Sequence, residues 1–348
     1  MSERIDAEMS AGRQHKDPLR FDFDLPLVTC CHPLGFSLEI ATNSPEVLVA
    51  ADESWGNFKK RFATPPLQLR LGVLDAKRNK NFQVPEISGQ WNLIARIADE
   101  HNFVVTNTDE GLSYGWLTRD LISDRAYFRY HFLESSFWLM AVPMYLTPIH
   151  GACVNLGGKG VLLCGDSGAG KSSLAYACAR SGWSFLSDDS SNLVRRSNGR
   201  TVIGNPYQIR FRPSAVDLFP ELLNQRVSPR ITGKLSIELV TQTIPKIRTI
   251  SESPVNLIVF LNRRRGPAEL VSFSRRKAFA WFEQEICYGS QEVRSEQRAS
   301  LKRLLGAEVC ELRYRDLDQA VARLEMMVNA CGTEAVGEPL HAGINLDV

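Results

Sequence analysis

The octapeptide Gly165-Asp166-Ser167-Gly168-Ala169-Gly170-Lys171-Ser172 constrains this chain more than any other stretch. It fits the pattern G-x-x-x-x-G-K-[ST] and lies between an almost wholly apolar run, Gly160 to Cys164, and an alanine-rich segment, Lys171 to Arg180. A loop of this composition works at the junction of a buried strand and a helix. Glycines let several backbone amides point inward around phosphate oxygens, and the helix that follows adds its positive N-terminal end. The Lys171 ammonium is then placed for the β and γ phosphates of a nucleoside triphosphate, and the Ser172 hydroxyl for a magnesium shell. The sequence therefore predicts a strand at Gly160–Cys164 and a helix at Lys171–Arg180 whose exit is marked by Gly182.

The next strand is expected at Trp183 to Leu186, closing on Ser187, Asp188 and Asp189. In that position one carboxylate can hold magnesium and its neighbour can take a proton from an attacking hydroxyl. The bland alternative is a solvated aspartate pair or helix cap. His150, before the P-loop strand, is by its chemistry alone a structural or a functional residue. Asn192 to Ile203 reads as a hairpin turning at Asn198 and Gly199, Val255 to Leu261 as a buried strand, and Leu317 to Met327 as an amphipathic helix with Asp316 as its cap.

The first half is different in character. Leu25–Cys31, Phe36–Ala41, Leu67–Leu74, Phe103–Thr106 and Tyr127–Phe132 are β-rich runs between turn signals, and Pro45–Phe58 and Gly89–Ala98 read as helical. Asn43, Ser44 and Pro45 supply a helix start. The expected fold class is α/β, with a mainly β (α+β) N-terminal region ahead of a mixed sheet with flanking helices. Residues 1–20 are expected to be a disordered lead-in, 21–126 a β-rich N-terminal domain, 127–332 the P-loop domain and 333–348 a tail.

Composition excludes some functions. With 41 basic and 39 acidic residues the net charge is +2, which gives no global field for nucleic acid or a membrane surface. The eight cysteines show no CxxC pair and read as reduced thiols of a cytoplasmic protein. Cys30-Cys31-His32 lacks the second cluster that structural zinc requires. Phe137–Ile149 is shorter than a membrane span and carries Pro143 and Pro148, so core burial is expected and no transmembrane segment.

The ordered set His150-Gly151, Gly160-Val161-Leu162-Leu163-Cys164, the P-loop, Gly182 and Phe185-Leu186-Ser187-Asp188-Asp189 resembles the catalytic domain of the HPr kinase/phosphorylase family. That resemblance implies a P-loop fold related to phosphoenolpyruvate carboxykinase, ATP and Mg2+ as ligands, and phosphorylation of a serine-type hydroxyl. It places the base at Asp188, metal ligation at Asp189 with Ser172, and a contact with the phosphate loop at His150. The nucleotide site then comprises Gly165, Asp166, Ser167, Gly168, Ala169, Gly170, Lys171, Ser172 and Ser173.

Two features depart from the family. Ser173 stands where an acidic residue is usual, and the downstream signature with a metal-binding glutamate is replaced by Gly204-Asn205-Pro206-Tyr207-Gln208-Ile209-Arg210-Phe211-Arg212-Pro213. The resemblance is therefore to a divergent, HPr-kinase-like protein whose phosphate acceptor is a protein, a peptide or a small molecule. A homo-oligomer is an assembly it allows. The alternative is a nucleotide-binding regulatory module with little or no transferase activity. Arg210, Arg212, Lys234 and the Arg263–Arg265 run are candidates to neutralise transferred charge. Lys234, beside Gly233, is the preferred phosphate contact among them, and Arg263–Arg265 reads as surface.

Overall fold

A computed structural model describes residues 24–75, 82–195, 199–230, 233–286 and 289–330. The expected lead-in and tail, and Asn198 of the predicted hairpin turn, lie outside the described residues.

The N-terminal half forms a seven-stranded sheet from β1 (Leu27–Cys31), β2 (Leu38–Thr42), β3 (Leu67–Leu74), β4 (Glu86–Gln90), β5 (Leu93–Asp99), β6 (Asn102–Asn107) and β7 (Leu112–Thr118), ordered β1-β2-β3-β7-β6-β5-β4. Helix α1 (Pro45–Trp55) starts as expected at Ser44-Pro45. It buries Val47, Ala50, Ala51 and Trp55 in a core shared with Leu38, Ile40, Leu69 and Leu71.

Two expectations here are corrected. Gly89–Ala98 is a β-hairpin, in which β4 and β5 pair antiparallel with Gln90 opposite Leu93. The chain turns through Trp91, at a left-handed φ of 57°. Pairing with β4 on one side and β6 on the other overrides the mixed local propensity. Tyr127–Phe132 is helical: α2 (Arg119–Ser123) and α3 (Arg125–Phe128) run through a π-helical turn, Arg129–Glu134, into α4 (Ser135–Met144). The Asp124 carboxylate caps α3 by accepting from Tyr127 N at 3.2 Å. Phe128, Phe132, Leu133, Phe137, Met140 and Ala141 are all buried. They recur at spacings of three to five, a helical period that a six-residue window of aromatic residues conceals. The apolar stretch 137–149 is thus the end of α4 and the start of the next strand, largely buried as expected.

That strand, β8 (Leu146–Leu156), begins the second, nine-stranded sheet. It pairs antiparallel with β9 (Lys159–Cys164), which carries the glycine-rich loop and leads into α5 (Lys171–Arg180). The strands β10 (Ser184–Ser187) and β11 (Ser190–Val194) share the other side of β8. The expected hairpin is present, with β11 antiparallel to β12 (Thr201–Gly204).

A small separate sheet is formed by β13 (Gln208–Phe211), β14 (Val227–Pro229) and β15 (Leu235–Val240). Beyond β16 (Arg248–Thr249), the long β17 (Glu252–Arg263) lies parallel to β9. After β18 (Glu269–Ser272), α6 (Arg275–Glu283) and α7 (Gln291–Leu304) comes β19 (Glu308–Tyr314), parallel to β17. The last helix, α8 (Leu317–Ala330), is capped by Asp316, whose Oδ1 accepts from Gln319 N at 2.9 Å. One face of the sheet packs Leu174, Ala175, Cys178 and Ala179 of α5 with Leu324 and Val328 of α8. The other buries Ala278, Phe282, Leu301 and Leu304 of α6 and α7.

No disulfide joins Cys30, Cys31, Cys153, Cys164, Cys178 or Cys310. Among the described residues no helix is long and apolar enough to cross a membrane.

Candidate active site

The strand carrying the glycine-rich loop is wholly buried from Gly160 to Cys164, so the loop emerges from the sheet with its position fixed by β8 and β17. Gly165, Gly168 and Gly170 take φ values of 142°, 96° and 101°, a region that side chains rarely adopt. Gly170 is also confined sterically, since a Cβ there would lie 2.6 Å from the Tyr314 hydroxyl. That hydroxyl donates to Ala169 O at 3.2 Å, and burial pushes it up to about 12. Tyr314 is therefore a neutral donor bracing the loop from the end of β19.

Lys171 opens α5 and is buried. Its Nζ donates to Gly165 O at 2.6 Å and Asp166 O at 3.3 Å, and lies 3.0 Å from His150 Nε2. Desolvation lowers its pKa, with Asp189, Cys164 and Asp166 opposing and Arg212 reinforcing the shift.

His150 is brought to the loop by register. It precedes Gly151, which pairs with Cys164 at the end of the P-loop strand. A Cβ at Gly151 would come within 3.1 Å of Leu163 O, so the missing side chain permits the close approach. On its other side β8 pairs with β10 through Ser187↔Cys153 and with β11 through Ser190↔His150. Asp188 and Asp189 form the break between those two ladders. Ser187 and Ser191 hydroxyls meet at 2.7 Å, and Ser191 donates to Gly151 O at 3.0 Å, which ties the break to the central strand.

The two carboxylates differ. Asp189 is exposed, 53% by side-chain surface, and its Oδ1 lies 3.5 Å from His150 Nδ1. Asp188 is half-buried, and protein packs closely enough around its carboxylate to push the pKa to about 6. Burial is the leading cause and the Asp189 charge adds to it. The backbone N–H of Arg210, donating to Asp188 Oδ2 at 2.6 Å, opposes it. Ser172 Oγ is 3.5 Å from Asp188 O, so the loop serine, the loop lysine, the histidine and both aspartates share one mouth.

A hard cation such as magnesium takes oxygen donors and retains waters and phosphate oxygens rather than demanding a protein cage. The Ser172 hydroxyl and the exposed Asp189 carboxylate fit that demand. Cys30 is exposed and Cys31 half-buried, with Cys30 Sγ 3.9 Å from His32 Nε2.

Not every candidate converges. Lys234 is exposed in the turn between β14 and β15, where its carbonyl accepts from Arg230 N at 2.9 Å, and no described contact joins it to the loop. The Arg210 guanidinium is paired with Glu238 at 2.9 Å. Arg263, expected to be plain surface, is exposed but flanks the loop, its Cδ 3.5 Å from where a Gly170 Cβ would stand. Arg212 donates to Ser167 Oγ at 2.9 Å. Sequence reasoning missed Tyr314 and Trp281, whose ring lies 6.3 Å from that of His150. Both come from elements more than a hundred residues downstream, and no local pattern marks them.

A buried strand, a glycine-rich loop and an aspartate pair beside it form one cluster in a mixed α/β protein. Residues 145–212 match the model of the HPr Serine kinase C-terminal domain family. The HPr kinase/phosphorylase of Shouchella clausii (strain KSM-K16) is 41% identical over 61 residues, which are 18% of this chain and 19% of that protein. The chain thus spans about a fifth of the length of that curated relative. The solved structure of the Hpr(Ser) kinase/phosphatase from Coxiella burnetii aligns with 52% of this chain and 93% of its own at 13% identity, with a TM-score of 0.27. The segment that builds the site is HPr-kinase-like.

Proposed function

We propose that the chain is an ATP- and magnesium-dependent kinase that transfers the γ-phosphate to a serine-type hydroxyl of a protein, peptide or small molecule, on a fold of the phosphoenolpyruvate carboxykinase-like P-loop type. The observation that carries this reading is the convergence of Lys171, His150, Asp188 and Asp189 on one loop mouth. Loop amides and Lys171 hold the phosphates, and His150 orients the lysine. Asp188 takes the proton of the acceptor hydroxyl as its oxygen bonds to the γ-phosphorus. The bond from that phosphorus to the bridging oxygen breaks, and its electron pair stays on ADP. A carboxylate titrating near 6 is ionised at neutral pH yet more basic than an exposed aspartate, which suits a general base. Asp189 and Ser172 would hold magnesium, which when bound supplies neutralisation of phosphate charge.

Equilibrium binding of Mg·ATP, followed by transfer of labelled γ-phosphate to serine peptides and small alcohols, tests the reading. Lys171→Met should abolish both, and unchanged binding by that variant would refute it.

A regulatory reading has one observation in its favour. Tyr207 Oη donates to Asn57 O at 2.8 Å and its ring stacks edge-on with Phe58 at 5.0 Å. This links the segment after α1 to β13, whose Arg210 N–H holds Asp188. Nucleotide binding that labels no acceptor but alters protection of residues 57–62 would favour it.

A further inference from the structure

Three arginines stand near the loop mouth, and their partners separate them. Arg210 is ion-paired with Glu238, and Arg263 lies beside Gly170, its Cδ 3.5 Å from where a Cβ there would stand. Arg212 is exposed, and its described side-chain partner is a hydroxyl, Ser167 Oγ at 2.9 Å, rather than a carboxylate. Its guanidinium covers the middle of the loop: Nη1 is 3.4 Å, and Cζ and Nη2 3.6 Å, from where a Cβ at Gly168 would stand. Gly168, at φ 96°, leaves the space in which that plane lies.

The placement is built rather than incidental. Phe211, the preceding residue, is buried edge-on against Tyr176 at 5.3 Å. The following Pro213 starts a short 3-10 turn in which Ala215 N donates to Arg212 O at 2.9 Å. Two residues earlier, Arg210 N–H donates to Asp188. Strand β13 and the residue that follows it therefore carry both the amide that orients the proposed base and a guanidinium over the phosphate loop. A guanidinium offers five donors in a planar fork, so a single bond to Ser167 leaves donors for phosphate oxygens.

We propose that Arg212 is an arginine supplied in cis to the terminal phosphate of the bound nucleoside triphosphate, and that its contact strengthens as charge redistributes during transfer. This rests on the kinase reading above. Delocalised positive charge at the transferring group is worth most in the transition state. The loss from its removal should accordingly fall on that state rather than on nucleotide binding.

The test compares the affinities of the full chain for Mg·ADP and for Mg·ADP with aluminium fluoride, which mimics the transferring phosphoryl group. Arg212→Ala should change Mg·ADP affinity by no more than about twofold and weaken the aluminium fluoride complex by about a hundredfold or more. Arg212→Lys should recover part of that loss, because ammonium keeps the charge but not the fork. Arg298→Ala, which removes an exposed partner of Glu283 on α7, should leave both affinities unchanged. Equal weakening of both complexes by Arg212→Ala, or no weakening, would overturn the assignment while leaving the nucleotide site intact. Failure of the unaltered protein to bind Mg·ADP would instead overturn the kinase reading and this inference together.

Discussion

Replacing Asp188 by asparagine should make the protein more stable at pH 8 and inactive at the same time. Its carboxyl is displaced from 3.8 to about 6, chiefly by burial. At roughly 1.4 kcal/mol per pH unit, that displacement corresponds to about 3 kcal/mol. Asp188 keeps part of its surface in solvent, so solvent screening reduces this to roughly 1–1.5 kcal/mol. The sign follows from the direction of the displacement. A raised folded-state pKa means that the stability contributed by the neutral form is complete below 3.8 and is lost as pH rises through about 6. Asparagine stays neutral at every pH and still accepts from Arg210 N–H, through a weaker bond that costs about 0.5 kcal/mol. The net gain should be roughly 0.5–1 kcal/mol above pH 7, or roughly 1–4 °C in Tm, and absent at pH 4. Thermal melts of both proteins at pH 4 and pH 8 read it directly. Transfer activity in the unaltered protein should rise through pH 6, and in Asp188→Asn fall by about two to four orders of magnitude. An equal difference in Tm at both pH values would refute the burial argument, and retained activity would refute the base.

Gly170→Ala should weaken nucleotide binding measurably, because its Cβ meets the Tyr314 hydroxyl at 2.6 Å and φ is 101°. Adding Tyr314→Phe should recover part of the loss by opening that space, measured as a coupling of about 1 kcal/mol in a double-mutant cycle of Mg·ADP affinity. Trp281 reports on the mouth through His150, so subtracting the emission of Trp281→Phe from that of the unaltered protein should isolate a signal that changes on adding Mg·ATP. A nucleotide response identical in the two proteins would place Trp281 outside the site.

The centre of this molecule was legible because its chemistry is contiguous. Strand β9, the loop and α5 form one run of sequence, and Asp188-Asp189 follow within twenty residues of Lys171, so order and spacing carried the geometry. His150 was harder, since chemistry alone leaves a single histidine ambiguous until β8 is paired with β9 and β11. What was not legible depends on distant pairing. Tyr314 and Arg263 reach the loop because β17 and β19 run parallel to β9 in the same sheet, a register that no local pattern encodes. Lys234, chosen for its glycine neighbour, stays in its own turn, while Arg212, in an unremarkable arginine pair, covers Gly168. In the first half, weak alternation conceals the strands β4 and β5, and the strong β propensity of the aromatic run 127–132 conceals its helical period.

The central claim is that the P-loop and the aspartate break of β10 and β11 together transfer phosphate rather than only bind it. The most direct measurement incubates the full chain with γ-labelled ATP, magnesium and a panel of serine-containing proteins, peptides and small alcohols, with Asp188→Asn in parallel. The account predicts label on a hydroxyl acceptor, lost in the variant while Mg·ATP binding persists. Tight Mg·ATP binding by the unaltered protein with label on no acceptor would contradict it.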